Sequence, residues 1–225
     1  MRFLVEGSVL PRAARMLTST QGSFSDECSV QTSPETPGGW IFREPDAKFS
    51  KNNVNHVVHV KAEITRMVWG RIWKGGRSNL VIMRRDPLSK GKGYSSNSYI
   101  WALEEGLLPD YHPDCFFQQD NARIHTSRPV KEWMETHGIW VIDHPPKSPD
   151  MNPIEHVWKA MKAILRKDYP ELATLKDNEE NRAKVDKALQ VAWWAVPQDL
   201  IDRLIDSMPR RVEALRKAKG WYTKY

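Results

Sequence analysis

The chain has 225 residues, 40% of them apolar and 28% charged, which excludes a disordered or fibrous polypeptide and suits one large domain or two small ones. No apolar run approaches the ~20 residues needed to cross a bilayer, so no membrane partner is expected, and two cysteines, Cys28 and Cys115, exclude a disulfide-stapled scaffold. The 34 Lys+Arg against 28 Asp+Glu leave a net charge of +6, which favours an anionic partner, nucleic acid before lipid.

Met1–Leu17 carries Arg2, Arg12 and Arg15 around Phe3-Leu4-Val5, an apolar piece too short for a secretory core. Residues 1–22 are expected to be poorly structured, and no sorting motif stands out. The stretch Thr18–Ser23 is polar and poor in β-formers, which predicts a shortened strand leading into Phe24-Ser25-Asp26-Glu27. Thr32–Gly39 is a Pro/Gly turn segment, and Val54–Val60 can form a strand. Thr65–Trp73 and Leu80–Met83 are rich in β-formers around Lys74-Gly75-Gly76-Arg77, the pattern of a hairpin or meander. Arg84–Gly93 is a basic loop, and Ser96–Leu108 has a helical apolar spacing. Cys115-Phe116-Phe117 predicts a buried strand that ends at Asp120. Ser127–His137 reads as a helix with Ser127 as its cap and Gly138 as its stop, and Ile139–Ile142 as a further strand. Pro145, Pro146 and Pro149 then force an extended passage. Asn152 as cap and Pro153 at the first position start a helix with Ile154, Val157, Trp158, Met161 and Leu165 on one stripe. From about Asp177 the chain is mostly helical, with Trp193-Trp194 expected in a helix core, and ends in the basic tail Arg210–Tyr225.

This order predicts an α/β fold, a mixed sheet flanked by helices, with residues 23–170 as its body and residues 171–225 as a helical extension of the same domain. Catalytic groups in such sheets cluster at strand ends, where Asp120 falls. Asp26 and Asp120 on strands and Glu155 on a helix can together hold two hard cations through oxygen ligands beside a phosphate. Each acid also has a plainer role. Glu155 can be the third residue of a capping box with Asn152, or pair with Lys159 on a solvated face; Asp120 and Asp26 can be turn residues. Glu155 shares its helix flank with Lys159, Lys162 and Arg166, an acid followed by three bases, which suits a metal ligand beside a phosphate track. A zinc site from Cys28, His112, Cys115 and His125 lacks any paired ligand spacing, and His125 reads better as a positioned polar residue near Asp120.

Gln119-Asp120-Asn121-Ala122-Arg123-Ile124-His125 and Ser148-Pro149-Asp150-Met151-Asn152-Pro153-Ile154-Glu155-His156-Val157-Trp158 resemble the two signature blocks of the mariner-type superfamily of DDE transposases. The 34 residues between Asp120 and Glu155 are the interval of its nematode-type branch. Phe24-Ser25-Asp26-Glu27 resembles the first-acid block, Met67-Val68-Trp69-Gly70 the strand after it, and Ser207-Met208-Pro209-Arg210-Arg211 with Thr223-Lys224-Tyr225 the usual end.

The resemblance implies a ribonuclease H-like fold in which Asp26, Asp120 and Glu155 bind two Mg²⁺ ions, with Mn²⁺ as a substitute, and catalyse cut-and-paste DNA transposition. It further implies nicking at the transposon ends, attack of the freed 3′-hydroxyl on target DNA, usually at TA, a homodimer holding both ends, and a nuclear location. Arg84, Arg85, Lys90, Lys92, Lys159, Lys162, Arg166, Arg210 and Arg211 are the candidate phosphate contacts. The family's N-terminal helix-turn-helix pair does not fit into Met1–Ser23, so the sequence reads as an N-terminally truncated catalytic domain. The alternative is an inactive descendant that acts as a DNA-binding or interaction protein.

Overall fold

Alternation along one strand organises the molecule. The computed structural model describes residues 22–32, 64–142 and 151–218. The expected turn beyond Thr32, the strand at Val54–Val60, the passage through Pro145 and Pro149, the first 21 residues and the tail after Ala218 lie outside the described residues. Strand β1 (Gly22–Gln31) pairs antiparallel with β2 (Thr65–Trp73) from Ser23↔Trp73 to Gln31↔Thr65, and parallel with β5 (Phe116–Gln118). Strands β3 (Gly76–Arg77) and β4 (Val81–Ile82) both add to β2, and β6 (Trp140–Ile142) runs parallel to β5. The order is β3-β2-β1-β5-β6, a mixed sheet as expected.

Phe24, Cys28 and Val30 of β1 share a core with α3 (Ile154–Asp168), α4 (Glu179–Ala195), α5 (Gln198–Asp206) and α6 (Met208–Lys217). Trp69, Val81 and Phe117 pack on the other face with α1 (Ser96–Gly106) and α2 (Arg128–Thr136). The C-terminal helices therefore share the core of the body instead of forming one of their own. Trp193 is wholly buried there while Trp194 is 54% exposed, so only the first of the pair is core.

The first strand is not shortened. It spans ten residues and is paired on both sides. Its buried serines are satisfied by hydrogen bonds across the sheet, Ser23 Oγ donating to Phe116 O (3.1 Å) and Ser25 Oγ to Gln118 O (2.9 Å). Hydroxyls with such partners are buried at little cost, so the polar sequence did not weaken the strand. Opposite Asp26 in the register stands Gly70, where a Cβ would fall 2.8 Å from Trp158 Cη2 and 3.1 Å from Trp193 Cη2. The bare glycine lets both indoles close over the sheet, their ring centroids 5.0 Å apart. Arg77, also buried, donates to the carbonyls of Trp193 (2.5 Å) and Val196 (2.6 Å) and so caps the C-terminal end of α4.

Ser95, one residue ahead of the expected helix, caps α1 through a reciprocal box with Ser98. Ser127 is the N-cap of α2 by position, but its hydroxyl donates to Ile124 O; Gly138 ends that helix with φ +63°.

Candidate active site

Asp26 sits near the middle of the central strand, paired with Gly70, on the face that carries α3. Burial, then the charges of Glu27 and Glu155, and to a lesser degree Asp120, push its carboxyl up from 3.8 to about 8, against one lowering hydrogen bond from the Glu27 backbone. Acids from three sequence blocks thus lie close enough to act on one another.

Glu155 arrives on the first turn of α3. The helix begins at Ile154 with Pro153 as its cap, one residue later than expected, so Glu155 is its second residue and not the third member of a capping box. Asn152 does something else. Its Oδ1 accepts from Ile154 N (3.3 Å) and its Nδ2 donates to Ser25 O (3.0 Å), which ties the start of α3 to the strand position just before Asp26. Beyond Glu155 the helix flank opens onto a cleft of about 420 Å³ lined by Cys28, Trp158, Lys159, Lys162 and Arg166, with Glu27 and Ser29 across from them. Burial pushes the Cys28 thiol up, against the lowering influence of the nearby Lys162 ammonium.

Asp120 follows the three-residue strand β5 and is half-exposed. Its Oδ1 accepts from Ala122 N (2.9 Å) and lies 2.6 Å from His125 Nδ1. The other ring nitrogen, Nε2, is 3.2 Å from Glu27 Oε1. Burial alone would lower the imidazole, but its hydrogen bonds to Asp120 and Glu27 and their charges outweigh that and raise it to about 10. The sequence offers Glu27 only as a stand-in for its neighbour Asp26; its partner lies 98 residues away, and no local pattern announces it.

The donor set suits a hard cation. All the acids offer oxygen, and burial with the charges of Glu27, Glu155 and Asp120 raises the proton affinity of Asp26. Among the described residues no three His, Cys, Asp or Glu side chains gather to hold a single ion, which also leaves the zinc set Cys28, His112, Cys115 and His125 unassembled. Mg²⁺ typically takes only one or two protein carboxylates, completing its shell with waters and phosphate oxygens.

The candidate phosphate contacts separate into groups. Lys159, Lys162 and Arg166 line the cleft with Glu155. Arg84 is exposed but ion-paired with Glu105, and Arg85 lies over the Tyr94 ring at 5.5 Å. Lys90, Lys92 and Arg210 are exposed. Arg211 is a correction: it is 3% exposed and its Nε donates to Ser207 Oγ (2.8 Å), so it anchors α6 and offers DNA no surface.

Residues 97–176 match the family of DDE superfamily endonucleases. The Tcb2 transposase of Caenorhabditis briggsae is 40% identical over 207 residues, covering 90% of this chain and 69% of that protein. The Tc1 transposase of Caenorhabditis elegans is 30% identical over 203 residues, with the same coverage of 90% and 69%. The chain belongs to the Tc1/mariner family of DDE transposases. Its fold agrees with this. The catalytic domain of Mos1 mariner transposase superposes with a TM-score of 0.58 at 19% identity over the whole of both chains. The chain in the Mos1 strand transfer complex gives 0.63 at 21% identity, covering 96% of this chain and 59% of that one. The transposase domain therefore has the ribonuclease H-like architecture that its motifs implied.

Proposed function

We propose that Asp26, Asp120 and Glu155 are the metal-binding catalytic acids of this transposase domain, that they take two Mg²⁺ ions, and that Mn²⁺ can substitute. One observation carries the reading: Asp26 is raised to about 8 by burial and by the charges of Glu27, Glu155 and Asp120, and Glu155 itself lines a cleft walled by Lys159, Lys162 and Arg166. Excess negative charge beside a basic track suits a site for divalent cations that a DNA phosphate completes. The chemistry such ions supply when bound is activation of a water or 3′-hydroxyl and stabilisation of the leaving oxygen in an in-line displacement at phosphorus.

The chain's own residues do the holding. Asp26 is fixed by the register of β1, Glu155 by the Asn152–Ser25 tie, and Asp120 by Ala122 N and His125. Lys159, Lys162 and Arg166 place positive charge along ~10 Å of helix beyond the first acid-bearing turn, a length that can follow a phosphate backbone. No covalent nucleophile is needed from the protein.

On this reading the substrates are double-stranded DNA ends of the element and a target, taken at TA, with a homodimer pairing the two ends in the nucleus. The ten-residue β1 speaks against one ground for an inactive descendant, a weak first strand, since the first acid is paired with β2. The experiment is nicking of supercoiled plasmid by the purified chain with Mg²⁺ or Mn²⁺. Cleavage should need the metal and disappear in Asp120→Ala. DNA binding with a steep salt slope but no cleavage under either metal would support the inactive alternative.

A further inference from the structure

His125 is 2% exposed, and both its ring nitrogens face carboxylate oxygens: Nδ1 lies 2.6 Å from Asp120 Oδ1, and Nε2 lies 3.2 Å from Glu27 Oε1. Its ring packs against that of Tyr99, with centroids 4.0 Å apart. Tyr99 is itself wholly buried and donates to Gln119 Oε1 (2.7 Å), the residue before Asp120. The turn closes beneath the ring through His125 N donating to Ala122 O (2.9 Å).

Glu27 adjoins Asp26 on β1, and adjacent strand residues point to opposite faces. Asp26 therefore faces α3, while Glu27 faces α1 and meets His125. The result is a continuous chain of contacts, from the first acid block through Glu27 and His125 to the second acid. β5 offers only three residues of strand before Asp120, so backbone pairing alone fixes that carboxylate weakly.

We propose that His125 is a positioning residue: clamped by Glu27 and Tyr99, it sets the orientation of the Asp120 carboxylate relative to β1 and so prepares it for the metal. This rests on the reading of Asp120 as a metal-binding acid. A ring held from both sides removes rotamer freedom from Asp120 before an ion binds, as the partners of a metal ligand do elsewhere, where their loss costs about 10–100-fold in metal affinity. The three-part contact also gives the acid that follows Asp26 a role: it reaches the second acid through the imidazole.

The test compares two neutral substitutions of similar size in the full chain. An Asn amide nitrogen falls near the position of Nδ1 and can still donate to Asp120, whereas a Gln amide reaches the position of Nε2 and serves only Glu27. Binding of Mn²⁺ alone, without DNA, is measured by electron paramagnetic resonance, together with the Mn²⁺ concentration for half-maximal nicking. His125→Gln should weaken Mn²⁺ binding about 10–100-fold and raise the half-saturating Mn²⁺ in step, with the KM for DNA unchanged. His125→Asn should recover the larger part. Equal Mn²⁺ affinities for the Asn and Gln variants, or tighter binding in Gln than in wild type, would overturn the positioning role while leaving the nuclease reading intact. Asp120→Asn is run beside them: unchanged Mn²⁺ binding there would overturn both. Thermal melts of the metal-free proteins identify any variant that has lost its fold, and the Asn-to-Gln ratio is read only between folded proteins. Should His125→Gln not fold, the pair His125→Asn and His125→Phe, which keeps the ring against Tyr99 without a donor, gives the same comparison with the same reversal criterion.

Discussion

Asp26 and Glu27 are neighbours on one strand, yet they live in opposite electrostatic surroundings. Asp26 faces α3 in a buried setting where the nearest charges are other acids, and its carboxyl is held up at about 8. Glu27 faces α1 and finds a histidine whose own affinity for protons it helps to raise. One face of the strand leaves negative charge uncompensated, and the other neutralises it within the protein. The difference teaches where an external cation is called for: beside Asp26, which burial and neighbouring acids hold up while the bases of α3 line the cleft further along the helix.

The largest expected effect is on chemistry. Asp26→Asn should abolish metal-dependent nicking, whereas Glu27→Gln should retain a measurable fraction of it; equal losses on the plasmid assay would erase the distinction between the two faces.

The second effect is on stability: the ionised Asp26 carboxylate counts against the fold and the charged His125 counts for it, and both make the fold less stable as pH rises. The unfolded chain ionises Asp26 above its ordinary 3.8, while the folded chain keeps the proton until about 8. Its contribution therefore counts against the fold progressively as pH rises from about 4 to 8, at up to ~1.4 kcal/mol per pH unit. Asp26→Asn should melt higher than wild type at pH 8 and close to it at pH 4. His125 is likewise raised, from 6.5 to about 10, and its slope has the same sign: charged, it stabilises fully below 6.5 and loses that contribution as pH climbs through 10. Glu27→Gln, by weakening a charged hydrogen bond, should cost about 1–3 kcal/mol near neutral pH. Thermal melts of both variants between pH 4 and 9 check that Asp26→Asn melts above wild type near pH 8 and Glu27→Gln below it.

Much of this arrangement was legible in the sequence, and the rest was hidden for identifiable reasons. The apolar stripe Ile154, Val157, Trp158, Met161 and Leu165 is buried as its period requires. The basic flank of the same helix lines the cleft. The strength of β1 was not legible, because Ser23 and Ser25 read as poor strand formers until their acceptors on β5 are known. The start of α3 moved by one residue because Asn152 is drawn to Ser25, a contact 127 residues apart in sequence. Arg211 read as a phosphate contact from composition, and only packing shows that it points inward. Long-range hydrogen bonds account for the strand and the helix start, and burial for Arg211; hydrophobic periodicity cannot see either.

Smaller effects sharpen the Asp26 face. Gly70→Ala puts a methyl against Trp158 directly across from Asp26 and should cost about 1–3 kcal/mol through overpacking, read as a lowered denaturation midpoint with nicking impaired. Asn152→Ala should cost about 1–2 kcal/mol, since it removes the tie between α3 and β1. Smallest, Lys162→Ala should weaken DNA binding evenly across sequences and reduce the salt slope by about one, as expected for one lost phosphate contact.

The most direct test of the uncompensated face is calorimetric titration of the wild-type chain with Mn²⁺ at pH 7 in buffers of different ionisation enthalpy, which counts the protons released on binding. A carboxyl held at about 8 is mostly protonated at that pH and must give up its proton to become a ligand, so binding should release close to one proton, and Asp26→Asn should release almost none. Saturable Mn²⁺ binding with no proton release, or the same release from Asp26→Asn, would contradict the account.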